Sequence, residues 1–291
     1  MDRFVESLLL GFPIPGIFLV QQSDKRYLVL DGQQRLRTIG AFYRGLHAGK
    51  EFRLSNVGEQ FKGLTYSSLT EEQRRTLDNT FLQATVVRTD GSAESLEAIY
   101  QIFERLNAGG TQLTAHEIRV ALYAGPFIEL LTQLNLDDGW RLIYGPESPR
   151  LRDQELILRI LALYVTPGTY RRPLKRYLNE FAALHRQLTD LDVDQLERLF
   201  TAATALLVEG PGRSAFRSGS SQVNAALAEA VMVGLLRRLE TDDTLTPEAA
   251  TEAVTSLMQQ ESLSMAISRA TADEEAVRTR LGLSTRVFAG A

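Results

Sequence analysis

At Asp31-Gly32 the apolar pattern of this chain changes period. Upstream, "YLVL" (27–30) is a compact apolar run of the strand type, whereas downstream Leu36, Ile39, Tyr43 and Leu46 recur at the spacing of one helix face. The chain must therefore pass from strand to helix through the five residues "DGQQR" (31–35). A second apolar run, "GIFLV" (16–20), follows Pro13 and Pro15, which hold the residues before them extended, and "QQSDKR" turns it into a hairpin with "YLVL".

The rest of the N-terminal part alternates helix and strand. Residues Arg3 to Leu10 read as a short helix closed by Gly11. "EEQRRTLDN" reads as another helix, and "FLQATVVRT" as a strand whose Phe81, Val86 and Val87 belong to a core. Ser92 starts a helix with Leu96, Ile99, Phe103 and Leu106 on one face. Thr114 and Glu117 make the S/T-x-x-E pattern of a capping box, opening a helix that stops near Gly125 and Pro126.

From Leu151 onward no strand pattern appears. Five separate helical patterns begin at "DQELILRILALYV", "DQLERLFTAATALLVE", "SQVNAALAEAVMVGLLRRLE", "PEAATEAVTSLMQQE" and "DEEAVRTRLGL". The predicted class is α+β, with a small α/β domain over 1–145 followed by an all-α helical bundle over 146–291. The boundary is soft and falls between Asp137 and Arg152.

Composition removes several chemistries. The chain has no Cys and only three His, which excludes thiol chemistry and disulfides and leaves a zinc site short of its usual ligands. A reducing, cytoplasmic compartment fits that usage, and no uninterrupted apolar run is long enough to span a membrane. A formal charge of −4 argues against a surface devoted to nucleic acid. One basic run, "TYRRPLKRYL", sets Arg171, Arg172, Lys175 and Arg176 between two tyrosines that could in principle stack on bases, but the preferred reading of an isolated charge run after the break at Pro167 and Gly168 is a solvated helix start.

The "DGQQR" junction carries the chemistry. A helix that starts directly after a strand presents unpaired N–H groups and the positive end of its dipole at one point. Gly32 permits close approach to the backbone, Gln33 and Gln34 offer amide donors, and Arg35 and Arg37 supply charge-assisted bonds to phosphate oxygens. Asp31 can accept from a ribose hydroxyl, hold a divalent metal completed by phosphate and water, or orient an attacking water. The alternative is structural: Asp31 and Gln34 have capping-box spacing and could satisfy the helix start without any ligand. That alternative does not account for two arginines beside a positive helix terminus.

Three ordered blocks, "LLLGFPIPGIFLV", "VLDGQQRLRTI" and "FERLNAGGTQLTAHEIRVALYAG", resemble the DGQQR family of bacterial defence proteins, which includes GmrSD-type modification-dependent restriction enzymes and the SspE phosphorothioation-dependent factor. "DQELILRILALY", "LKRYLNEF" and "AFR" followed by an asparagine are similar to the helical part of the same family. The resemblance implies a ParB/sulfiredoxin-like N-terminal fold. It also implies that the block holding Asp31, Gly32, Gln33, Gln34 and Arg35 binds and helps hydrolyse a nucleoside triphosphate, with Mg2+ as a candidate companion, and with catalytic roles for Asp31 and Arg35.

The segment Pro13 to Ile17, with Pro15 and Ile17 singled out, would wall the base or sugar, or merely stop one helix and start a strand. Asn107 would face the nucleotide with Arg105 nearby, or else would close a helix together with Gly109. Arg119 could reach the same cleft but reads more simply as an exposed helical arginine, and His116 as a surface residue of the Thr114 capping turn.

Two departures from the family bear on function. The region after Leu151 contains one histidine, His185, without an HNH-type metal motif, so no built-in HNH nuclease is expected, and a separately encoded nuclease or another defence subunit is a candidate partner. Met1 falls within the first helix, where relatives carry an upstream strand, so a truncated start or a completing partner is expected. Sulfiredoxin chemistry requires a thiol the chain lacks, and a ParB-type DNA clamp requires a basic recognition helix that is not evident. The expected function is a nucleotide-hydrolysing sensor or regulator in an anti-phage restriction system. The alternatives are a module that senses nucleotide or DNA without turnover and an interaction protein with a merely capped helix.

Overall fold

A computed structural model describes residues 1–22, 25–106, 113–242 and 244–291. The chain is α+β and divides into two compact units, Met1–Gln112 and Leu113–Ala291.

The first unit begins with α1 (Asp2–Leu9) and a hairpin of β1 (Ile17–Gln21) and β2 (Tyr27–Asp31), then α2 (Gln33–Arg44). Two short strands, β3 (Leu46–His47) and β4 (Lys50–Glu51), precede α3 (Glu71–Asp78), β5 (Ala84–Arg88) and α4 (Ala93–Leu106). β1 is the middle strand of the main sheet, antiparallel to β2 and parallel to β5. α1 packs on α2 and α3 because Val5, Leu8 and Leu9 form one apolar stripe, which meets Phe42, Phe52, Leu54, Phe61 and Leu77. Phe42 and Phe52 meet edge to face at 5.5 Å. α4 covers β2 and buries Leu96, Ile99 and Phe103, the face expected from the sequence.

Three expectations fail in this unit. Leu46 does not continue the α2 face: Gly45 takes φ 70° and ends the helix, and Leu46 starts β3 with its side chain exposed. Val86 is exposed, as are Ala84, Thr85 and Arg88 beside it on β5. Phe81 precedes β5 and is 93% exposed, so it belongs to no core.

The second unit contains α5 (Ala115–Leu122), α6 (Pro126–Asn135), α7 (Asp138–Tyr144), α8 (Arg152–Val165), α9 (Leu174–Leu184), α10 (Val193–Glu209), α11 (Ala225–Thr241), α12 (Pro247–Met258), α13 (Glu261–Ser268) and α14 (Glu274–Ala289). The division between units falls ahead of residue 145 because α5 packs on α9, α6 on α8 and α7 on α10.

α11 is the axis of this unit. Its residues from Ala226 to Leu236 are all buried, which requires neighbours on every side, and α8, α10 and α14 supply them. At the α11–α14 crossing a Cβ on Gly234 would collide with Ser284 Oγ, so glycine sets the helix spacing there. Buried Glu229 on α11 pairs with Arg159 of α8 at 2.5 Å and with Arg280 of α14.

In the run at 170–177 the arginines are exposed while the two tyrosines turn inward and offer no stacking surface. Tyr170 and Tyr177 are buried and donate to the carbonyls of Ala272 (2.6 Å) and Ala162 (2.7 Å). Arg172 pairs with Asp273 at 2.8 Å and Arg176 with Glu180 at 2.7 Å.

Candidate functional site

The "DGQQR" turn sits at the end of an irregular strand. Tyr27, Leu28 and Val29 pair in register with Gln21, Val20 and Leu19, but Phe18 stands opposite Asp31, so Leu30 is an extra residue in β2. Such a bulge bends its strand and re-aims the residues after it. Leu30 is buried while Asp31 keeps its carboxylate 44% exposed.

Gly32 is next, with φ 96° and ψ 9°, the left-handed region, and is the N-cap of α2. An added Cβ there would collide with Ile17 and lie 3.2 Å from Arg35 Nη2. Both the backbone angle and the space therefore call for glycine. Placing the cap at Gly32 also disposes of the capping-box alternative, since no side chain caps α2 and no acidic residue occupies its first turn. The N–H groups of Gln33, Gln34 and Arg35 accordingly begin a helix in which they have no intrahelical acceptor.

Arg35 folds back over this turn. Its Nη2 donates to Asp31 Oδ2 at 2.5 Å and to the carbonyl oxygen of Gly16 at 3.0 Å, while its Nε is buried with no hydrogen-bond partner among the described residues. Gly16 is a participant that residue-type reasoning passed over. A Cβ at that position would lie 2.8 Å from the Gln83 carbonyl oxygen, the atom that also accepts from the Ile17 N–H. The signal available for it was the glycine after Pro15 in a segment otherwise fit for a strand.

The other candidates divide into those at the turn and those not joined to it. Gln33 and Gln34 are exposed in the first turn, Gln33 donating a long 3.4 Å bond to the Val29 carbonyl and Gln34 accepting from Thr38 at 2.7 Å through its own carbonyl. Arg37 is exposed and has no hydrogen bond or ion pair among the described residues. Pro15 is exposed beside Gly16, and Ile17 is buried against Gly32. Arg105 lies exposed in the last turn of α4, with no hydrogen bond to the "DGQQR" turn among the described residues. Asn107 lies outside the described residues.

His116 and Arg119 are not the surface residues expected, since both are buried in the second unit. Arg119 donates to Asn179 Oδ1 at 2.9 Å and to His116 Nδ1 at 3.1 Å, so the His116 proton sits on Nε2 and goes to Gln154 Oε1 at 3.1 Å. Burial, and then the neighbouring Arg119 charge, pushes the His116 pKa down to about 3. They were misplaced because the capping turn that precedes them, Thr114 with Glu117, marks where the helix starts but not which face it buries.

Residues 1–124 match the family model described as GmrSD restriction endonuclease, N-terminal domain. That stretch belongs to the GmrSD N-terminal domain family. It contains the whole "DGQQR" turn, β1, β2, β5 and the α5 residues just described, and it relates the chain to restriction systems. Comparison with curated proteins and with solved structures returned no match. No helix among the described residues is long and apolar enough to cross a membrane, and no group of three or more His, Asp or Glu among them is arranged to hold a metal ion.

Proposed function

We propose that the GmrSD-type part of this chain binds a nucleoside triphosphate at the "DGQQR" turn and hydrolyses it, and that the protein acts as the nucleotide-dependent sensor or regulator of a restriction system. The observation that carries this proposal is the uncapped start of α2 behind a left-handed Gly32, with Arg35 in a first turn that contains no acid and Arg37 just beyond it. Helix dipoles disfavour cations at this end by up to about 1 kcal/mol, and an anion seated on the amides reverses that cost.

In the proposed reaction Asp31 orients a water molecule for attack on the terminal phosphorus, and the bond to the bridging oxygen breaks to give nucleoside diphosphate and inorganic phosphate. Arg35, which the structure bonds to Asp31, stabilises charge on the transferred group in this reaction. Asp31 is the carboxylate at the turn that fits a magnesium ion, which would neutralise phosphate charge.

Phosphate release from ATP, GTP, CTP and UTP, with and without magnesium, tests hydrolysis directly. Wild-type turnover that disappears in Arg35→Ala is the expected result, and turnover unchanged by that substitution removes Arg35 from the mechanism. Tight nucleotide binding by calorimetry without product formation would instead favour the module that senses without turnover.

A further inference from the structure

We propose that a hollow in the second unit, between α8, α11 and α14, binds a small amphiphilic anion: one ring with a short substituent, carrying a carboxylate or an equivalent acid. The hollow has a volume of about 220 Å³. Its apolar wall consists of Leu163, Tyr170, Val277 and Leu281. An apolar cavity of roughly 150 Å³ accepts benzene, so this one has room for a ring and a few further atoms.

The charge around it selects the sign of the occupant. Arg171, Arg237 and Arg278 line the hollow against a single acid, Glu274, which already accepts from the Arg172 N–H at 3.2 Å. Arg237 has one side-chain hydrogen bond, to Thr285 Oγ1 at 2.8 Å; burial works against its charge, which the nearby Glu240 carboxylate offsets only in part. Arg278 is exposed and has no hydrogen bond or ion pair among the described residues. A carboxylate at the rim would compensate both guanidinium groups.

Gly282 provides an independent observation. Two glycines lie inside helices at this crossing, and they differ in cause. A Cβ on Gly234 would strike Ser284 and Phe288, so close packing explains that residue. A Cβ on Gly282 would meet only Arg286 Nη1, at 3.8 Å, in a helix where glycine is unfavourable. Gly282 lines the hollow, and the absence of its side chain leaves that space open.

The test uses the full chain with 4-ethylbenzoate as probe and the uncharged 4-ethylbenzamide as its isostere, followed by calorimetry and ligand-observed NMR. Saturable binding of the benzoate with a Kd on the order of 100 μM is expected, with the benzamide at least about tenfold weaker. Gly282→Leu, which fills the hollow while improving helix propensity, should abolish binding without lowering the unfolding temperature. Arg278→Gln, at the surface, should weaken binding severalfold and leave the fold intact. The proposal is overturned by no saturation at millimolar benzoate, by equal binding of the benzamide, or by unchanged affinity in either variant.

Discussion

Arg35 Nη2 stands 2.5 Å from Asp31 Oδ2, one helical turn apart across the start of α2. The same atom reaches the Gly16 carbonyl at 3.0 Å, so a single guanidinium joins the end of β2, the approach to β1 and the first turn of the helix. With Asp31 nearly half exposed, the ion pair itself contributes at most about 1 kcal/mol, and its main effect is to hold both side chains in one orientation.

Asp31→Asn separates binding from chemistry. In the proposed site, without magnesium, the carboxylate would repel phosphate and compete for Arg35; removing its charge should tighten magnesium-free nucleotide binding severalfold, while phosphate release with magnesium falls by about 10²-fold or more. Calorimetry beside a phosphate-release assay checks both halves, and a parallel loss of binding would assign Asp31 to the ligand contact instead.

Gly32→Ala should destabilise the first unit by about 3 kcal/mol, combining a left-handed alanine with the collision against Ile17. Adding Ile17→Ala relieves the collision but not the backbone angle, so Gly32→Ala should cost less, though not nothing, in an Ile17→Ala background. Denaturant unfolding of the four proteins in this cycle measures the two parts.

His116 links stability to acid. Its pKa falls from 6.5 to about 3 in the folded chain, so below pH 6.5 the unfolded state takes up a proton that the folded state refuses. Its contribution is complete above that pH and is lost as pH falls toward 3, at up to ~1.4 kcal/mol per pH unit. Unfolding free energies measured between pH 7 and 4 should fall more steeply for wild type than for His116→Gln, which keeps an acceptor for Arg119 but does not titrate.

Arg119→Met would remove the buried guanidinium that donates to Asn179 Oδ1 and His116 Nδ1 and pairs with Glu155 at 3.7 Å, and should cost about 3 kcal/mol in denaturant unfolding. Phe81→Ser makes the opposite case: at 93% exposure it should change stability by less than about 0.5 kcal/mol.

The elements that could be read from sequence were those whose own residues set the pattern. The strand-to-helix change at Asp31, the apolar face of α4 and the capping turn of Thr114 depend on local spacing, and each appears where spacing puts it. α13 has no capping side chain to mark its start at Gln260, whereas the equally short α3 and α5 open on the capping boxes of Thr70 and Thr114. Exposure of Phe81 and Val86, and burial of His116 and Arg119, depend on which distant element covers a face, which a hydrophobicity pattern does not encode. At the turn, the residue types pointed to Asp31, Gly32 and Arg35, but the partnership of Arg35 with the Gly16 carbonyl joins segments nineteen positions apart and has no local signature.

The extra residue at Leu30 makes the length of β2 a chemical variable. Removing that one amino acid would erase the irregularity: the register of Leu19 with Val29 would still carry the aspartate opposite Phe18, but without the bend that aims it and the residues after it. Natural variation around this junction should therefore proceed by exchange of side chains, with gaps and insertions confined to the far end of the hairpin.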